Sequence, residues 1–262
     1  MTRQNFYKQR KQRGRQEIDE GLVVELVQRE RRLQPRLGGR KLYDLLHREL
    51  AEAGVEVGRD RFFGVLRGHD LLVPPLDRRT CRTTFSRHNL PLFRNLLREL
   101  EPTAPNQVWV SDATYIRTNE GFEYLTLIMD LHSRKIVGYS CGDTLDAEAN
   151  LAALRRALTE LPANRYPIHH SDRGCQYCCH EYVQVLQSRH LLISMTEENH
   201  CYENSHAERL NGILKQEYAL GLSFRTRKQA RRAADQAVRL YNHRRPQDPT
   251  GRPFGRPSRG EI

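Results

Sequence analysis

The sequence predicts an α/β core on a mixed five-stranded sheet, with a small all-helical region before it and a basic helical tail after it. Three observations carry this. Apolar residues recur at helical spacing from Ile18 to Leu66, the period changes to that of strands at Val108, and helix-like and strand-like runs alternate after Asp146. At 262 residues the chain is long enough for one large or two modest domains.

The first thirteen residues, with Tyr7 and five Lys/Arg, form a basic arm or short helix. Ile18, Leu22, Val23, Leu26 and Val27 then predict an amphipathic helix over 17–33. Gly38 and Gly39 break it, and Leu42, Leu45, Leu46 and Leu50 mark a second helix ending near Gly54. A turn over 55–58 leads into a third helix around 59–66. Two helices joined by a short Gly-bearing turn fit a helix-turn-helix with Arg59, Arg61 and Arg67 near a DNA groove; a plain helical bundle is the alternative. The helical region is expected over 1–73, and a basic linker with Arg78, Arg79, Arg82 and Arg87 over 74–105. A short helix is expected in that linker near 92–99, and Pro102 and Pro105 mark the linker's end.

The core is expected over 106–221. Runs at 108–116, 122–130 and 135–141, separated by turns at 119–121 and 132–134, form an antiparallel meander. A helix over 146–161, a strand over 167–170, a helix over 180–190, a strand over 191–194 and a helix over 204–220 follow. Three antiparallel strands and then alternating helices and strands are the ribonuclease H-like order. The last region, 222–262, opens with a basic helix around 228–241 and ends in a tail rich in Pro, Gly and Arg.

Charge is unevenly spread. The net formal charge is +11, divided as +8 over 1–104, −5 over 105–221 and +8 over 222–262. An acidic centre between basic flanks implies a polyanionic partner, DNA above all; a basic protein with solvated faces is the bland alternative. No apolar run approaches the roughly 20 residues that span a bilayer, so no membrane is expected. Six cysteines without a regular framework point to a reducing cytoplasm. Cys175, Cys178, Cys179 and His180 invite a zinc reading completed by His200 and Cys201, but cysteine as a small apolar filler between a strand and a helix explains the segment better.

Three acids sit in distinctive strings: Asp112 within 108–116, Asp172 within 170–177, and Glu208 at the end of 203–208, with 35 residues between the last two. Asp112 lies in a strand, where a lone carboxylate is costly to bury without a partner or metal. Asp172 follows a parallel-type strand at a loop beginning Arg173 and Gly174, where open-sheet sites form. Glu208 shares a helix face with Asn211, Gly212 and Lys215. Hard divalent cations need several oxygen ligands, and carboxylates supply them. Separately the acids read as a core carboxylate, a turn former and a solvated helix residue. Together, on a basic chain, they point to a polynucleotide-processing enzyme.

The strings at 106–116, 124–125, 129–138, 170–177, 204–217 and 241–246 resemble the integrase core of bacterial insertion-sequence transposases. The strongest resemblance is to the second-frame protein (OrfB) of the insertion sequence three family, related to retroviral integrases. It covers 106–246 and extends more weakly over 1–75. The resemblance implies that Asp112, Asp172 and Glu208 are a DDE triad holding two Mg²⁺, with Mn²⁺ able to substitute. It implies Lys215 beside the scissile phosphate, with Asn211, Arg173, Arg59 and Arg61 as further expected DNA contacts. Transposon ends and target DNA are then the substrates, a homo-oligomer forms on DNA, the first-frame protein (OrfA) is a partner or fusion, and the bacterial nucleoid is the location. Tyr115 and Tyr177 are expected to pack or touch phosphate rather than attack. Two departures stand out: Glu203 where the family usually has Asp, and an ending after Pro246 that lacks the usual close. A ribonuclease H-like nuclease without strand transfer, and a catalytically inactive DNA-binding regulator, remain the competing readings.

Overall fold

Helical spacing becomes helices in the first part of the chain. In the computed structural model, which describes residues 19–76, 88–98, 100–197 and 204–244, α1 runs over 19–33, α2 is Gly39–Glu52 and α3 is Arg59–Gly68. Their apolar stripes, including Val23, Val27, Leu42, Leu46, Leu50, Phe62 and Leu66, close into one buried core. The glycine pair does double duty: Gly38 is extended and caps α2, while Gly39 is its first residue. Gly54, at φ +77°, follows the end of α2 in a conformation that side chains disfavour. The chain divides into two units, Met1–Leu76 with Gln216–Ala219, and Asp77–Lys215 with Leu220–Ile262.

The short helix expected near 92–99 is not formed. Residues 91–97 are irregular because partners from elsewhere take their backbone groups. The Asn95 amide donates to Glu197 Oε1 at 2.9 Å, the Leu96 amide donates to Ser194 Oγ at 2.9 Å, and the Arg94 carbonyl accepts from the Met195 amide. The periodic leucines therefore do not share a buried stripe, and Leu92 and Leu96 stay exposed. The basic arm at the start, Arg78, Arg79, Arg82 and Arg87 of the linker, Glu203 and the tail after Arg244 lie outside the described residues.

The strand-like runs from Val108 build the meander: β1 (Val108–Thr118), β2 (Gly121–Asp130) and β3 (Ile136–Gly142), paired antiparallel in that order. β4 (Ile168–Ser171) pairs parallel to β1, and β5 (Leu192–Met195) parallel to β4, giving the order β3-β2-β1-β4-β5. This is the ribonuclease H-like arrangement. A sixth strand of two residues, β6 (Ser223–Phe224), pairs with the far end of β1 at Arg117 and Thr118. It is too short to leave a periodic trace in sequence.

Helices cover the sheet. Asp146 caps α4 (Ala147–Thr159) by accepting from the Ala149 amide, and α4 lies so close to β3 that a Cβ on Gly138 would sit 2.3 Å from the Ala153 carbonyl oxygen. A one-turn helix α5 (Cys175–Cys178) precedes α6 (His180–Ser188). Trp109, Ile128, Leu154, Tyr177, Tyr182 and Leu186 form the main core between sheet and helices. α7 is Ser205–Glu217, ending three residues earlier than expected, because Ala219 turns to φ +62° and the amides of Leu220 and Gly221 fold back on Leu214 and Lys215 carbonyls. Finally α8 (Arg227–Arg244) buries Ala230, Ala234, Ala237, Val238 and Tyr241. It is anchored by Arg231, whose Nε donates to fully buried Glu123 at 2.7 Å, and by Asn242, which pairs with both backbone groups of Ile136.

Candidate active site

Strand register sets two of the acids. Val110 of β1 lies beside His170 of β4 in parallel pairing, so Asp172, two residues past His170, continues toward the level of Asp112, two past Val110. Asp172 is buried, and its Oδ1 accepts the Gly174 amide at 3.0 Å, which turns the chain sharply after the strand.

The third acid is delivered by α7, which is pinned to β1 at two points. Asn204, just before the helix, offers its backbone carbonyl to the amides of Ala207 and Glu208, while its side-chain amide donates to the Ser111 carbonyl at 3.1 Å. Two turns on, Asn211 Nδ2 donates to Asp112 Oδ2 at 2.8 Å. Glu208 lies between these pins, exposed on the first turn. Its spacing from Asn211 fixes which face of the helix meets β1.

The electrostatics follow. Desolvation, then the neighbouring Asp172 carboxylate, push Asp112 up to about 8, with Glu208 adding and the Ala113 amide and Asn211 opposing. Glu208 is also raised, by desolvation and then by Asp172. Carboxylates carried by three elements thus act on one another's ionisation, and a hard cation bound beside them would relieve that. The donors are all oxygen, which suits Mg²⁺ or Mn²⁺. Among the described residues no group of three or more His, Cys, Asp or Glu side chains is arranged to hold one ion. Magnesium fits this donor set: it binds through one or two carboxylates and completes its shell with water and substrate phosphate.

The other expected residues divide. Lys215 Nζ sits 4.0 Å from the centre of the Tyr115 ring, so a cation–π contact holds it over β1. Arg173 donates through Nε to the Thr196 carbonyl at 2.6 Å, and its own carbonyl faces His88 Nε2 at 2.8 Å. Tyr177 is buried, its hydroxyl 3.2 Å from Ser111 Oγ, and burial holds its pKa well above the ordinary value. It packs edge-on against Tyr182, as expected of a core residue. Arg59 pairs with Asp60 and Arg61 with Asp19, in the helical unit. Cys178 is buried with Sγ 3.7 Å from Met195 Sδ, and burial pushes its thiol up to about 12, as suits a filler. His200 and Cys201, the other half of the zinc reading, lie outside the described residues. Sequence reasoning missed the link from Asn204 to Ser111; the signal was an Asn directly before a helix, in a string already singled out.

The integrase core domain family matches residues 102–201, and a second integrase core domain family matches 189–252. The chain is 36% identical over 247 residues to an uncharacterized 31 kDa protein of insertion element IS600 from Shigella sonnei, covering 93% of this chain and 89% of that protein. The chain belongs to the integrase-core family of insertion-sequence transposases. A second relative in this family is the transposase InsF for insertion sequence IS3A from Escherichia coli K12, 36% identical over 151 residues. That match spans 57% of this chain and 52% of InsF. Among solved structures, the catalytic core domain of HTLV-2 integrase in complex with magnesium is 21% identical, covering 60% of this chain and 95% of that one at a TM-score of 0.45. The simian T-cell lymphotropic virus intasome in complex with a PP2A regulatory subunit is 19% identical, covering 78% of this chain and 68% of that one at 0.47. No described helix of this integrase-core chain is long and apolar enough to cross a membrane.

Proposed function

We propose that the chain is a DNA transposase that cuts at transposon ends and joins them to target DNA, with Asp112, Asp172 and Glu208 as its catalytic carboxylates. Family membership supports DNA transposition. The observation that supports the residue assignment is the buried Asp112 carboxylate of β1, tied by Asn211 to the helix that carries Glu208 and raised to about 8 by burial first, then by Asp172 and Glu208. A structural carboxylate cluster without a ligand would be destabilising, so its presence argues for a cation.

The three acids would hold the metal, two ions in this reading. Bound Mg²⁺ would supply Lewis acidity for the attacking water or 3′-hydroxyl and for the leaving oxygen. The chain's own residues do the positioning. Asn211 orients the Asp112 carboxylate, the Gly174 amide orients that of Asp172, and Asn204 seats α7, the helix that carries Glu208. Lys215, held over Tyr115, would contribute positive charge to a DNA phosphate. No covalent enzyme intermediate is needed, and Tyr177, buried and protonated, is not a nucleophile.

The 1–73 region would grip DNA with Arg59 and Arg61, 74–105 would link it to a 106–221 core, and the basic flanks would supply much of the affinity. A homo-oligomer on DNA, with OrfA as partner or fusion in the bacterial nucleoid, completes the proposal. The testing experiment incubates the chain with candidate end DNA and Mg²⁺ or Mn²⁺ and scores nicking and joining separately. Nicking with joining supports the proposal. Nicking alone identifies a nuclease, and metal-independent binding without cleavage identifies a regulator.

A further inference from the structure

Arg59, Phe63 and Arg67 stand four residues apart on α3, so one face of that helix carries them in a row. With Asp60 and with Arg40 near the start of α2, they line an open pocket of about 510 Å³. That volume lies within the range of ligand sites. Three guanidiniums against one carboxylate give the lining a formal charge of +2, and Asp60 is already engaged by Arg59 at 3.2 Å. Phe63 is half-buried and packs on the helical core. Its ring lies against the start of α2, where a Cβ on Gly39 would meet Cε1 at 2.9 Å and Cζ at 3.1 Å. Gly39 therefore leaves the ring its place.

The shape is informative. A helix that reads a DNA groove presents a protruding row of side chains that reach base edges. This face instead leaves an open pocket between its side chains, with an aromatic ring among the cations. Arg61, the other arginine expected at the groove, lies outside the pocket and pairs with Asp19 of α1 at 3.8 Å. An aromatic π-face flanked by guanidiniums suits a base with phosphates on either side, which is how single strands are bound without groove readout.

We infer that this pocket receives an unpaired nucleotide of a DNA strand, its base stacked on Phe63 and its flanking phosphates held by Arg40, Arg59 and Arg67. The inference rests on reading the chain as a DNA-processing enzyme, and it assigns the helical unit a single-strand site in place of groove docking.

The test uses the full chain in Ca²⁺, with a short single-stranded oligonucleotide, its duplex, free thymidine monophosphate and polyglutamate as probes. Phe63→Leu keeps apolar packing and removes the π-face; Arg67→Ala removes one cation without touching the core. Arg48→Ala, an exposed change on α2 outside the pocket, controls for net charge. Phe63→Leu and Arg67→Ala are each expected to weaken single-strand binding by at least about fivefold while duplex binding falls less. Arg48→Ala should leave that ratio unchanged. Equal losses on single strand and duplex would mean a groove-docking helix, and no loss in either variant would mean a solvated face; both overturn the inference. So would competition by polyglutamate as strong as by DNA of equal charge, which marks an acidic protein partner, or by thymidine monophosphate as strong as by the strand. If Phe63→Leu fails to fold, as judged by circular dichroism, the same ratio in Arg67→Ala decides. Cleavage plays no part in the readout, so a failed catalytic assignment leaves this result interpretable.

Discussion

Asn211 Nδ2 lies 2.8 Å from Asp112 Oδ2 and so ties the middle of α7 to the strand that carries the first carboxylate. The contact links two residues 99 positions apart and sets the helix face on which Glu208 stands. Asn211 itself is buried, so its place is fixed by packing as well as by the bond.

Removing that tether is expected to loosen the site without unfolding the protein. Asn211→Ala should lower metal-dependent cleavage by about 10–100-fold, the usual cost of losing a group that orients a metal ligand. Much of the loss should return at higher Mg²⁺ or Mn²⁺. A metal titration of cleavage rate checks this. An unchanged titration would assign Asn211 to packing alone.

The raised Asp112 gives a pH dependence with a definite sign. Its folded value of about 8 lies above the unfolded value of 3.8, so between these the folded state binds more protons. Stability of the metal-free protein should therefore fall as pH rises from about 4 to about 8. Asp112→Asn should remove that slope and, near pH 8, stabilise the metal-free chain by on the order of 1–2 kcal/mol, about 2–8 °C in melting temperature. Mg²⁺ should stabilise the natural chain more than the variant. Thermal melts across pH, with and without Mg²⁺, measure all of these.

Much of this architecture was readable in the chain. The strand-like run around Asp112 and the turns at 119–121 and 132–134 mark the meander through β-branched and aromatic residues bounded by polar turns. Both β1 and β2 are buried on both faces, so burial along them does not alternate. The acids are readable because each stands in its own string. What was not readable depends on distant partners. The leucines near 92–99 have helical spacing, yet Ser194, Met195 and Glu197 bind that backbone instead. No local pattern announces that Asn211 meets Asp112, that Lys215 lies over Tyr115, or that Arg40 joins Arg59 and Arg67 around Phe63.

Lys215 should matter more for chemistry than for affinity. Lys215→Ala is expected to lower cleavage at saturating end DNA by about 10–100-fold while binding measured in Ca²⁺ weakens less. Unchanged cleavage at saturation with weakened binding would make Lys215 a remote clamp.

The anchor of α8 is expected to show in stability. Arg231→Ala leaves the carboxylate of Glu123 buried beneath the helix without its guanidinium. Because Arg231 is itself half-exposed, the loss should be about 1–3 kcal/mol rather than the full cost of a deeply buried pair. Adding Glu123→Gln should recover much of it. Denaturant melts of the single and double variants measure the coupling.

The most direct test of the central claim is Glu208→Gln in the full chain, assayed for nicking and for joining of end DNA in Mg²⁺ alongside DNA binding in Ca²⁺. The amide keeps the shape of the side chain and removes the charge that would hold metal. The expected result is loss of both reactions with binding retained. Mg²⁺-dependent cleavage by the purified, folded variant at the natural rate would contradict the assignment of Glu208 and, with it, the three-carboxylate site.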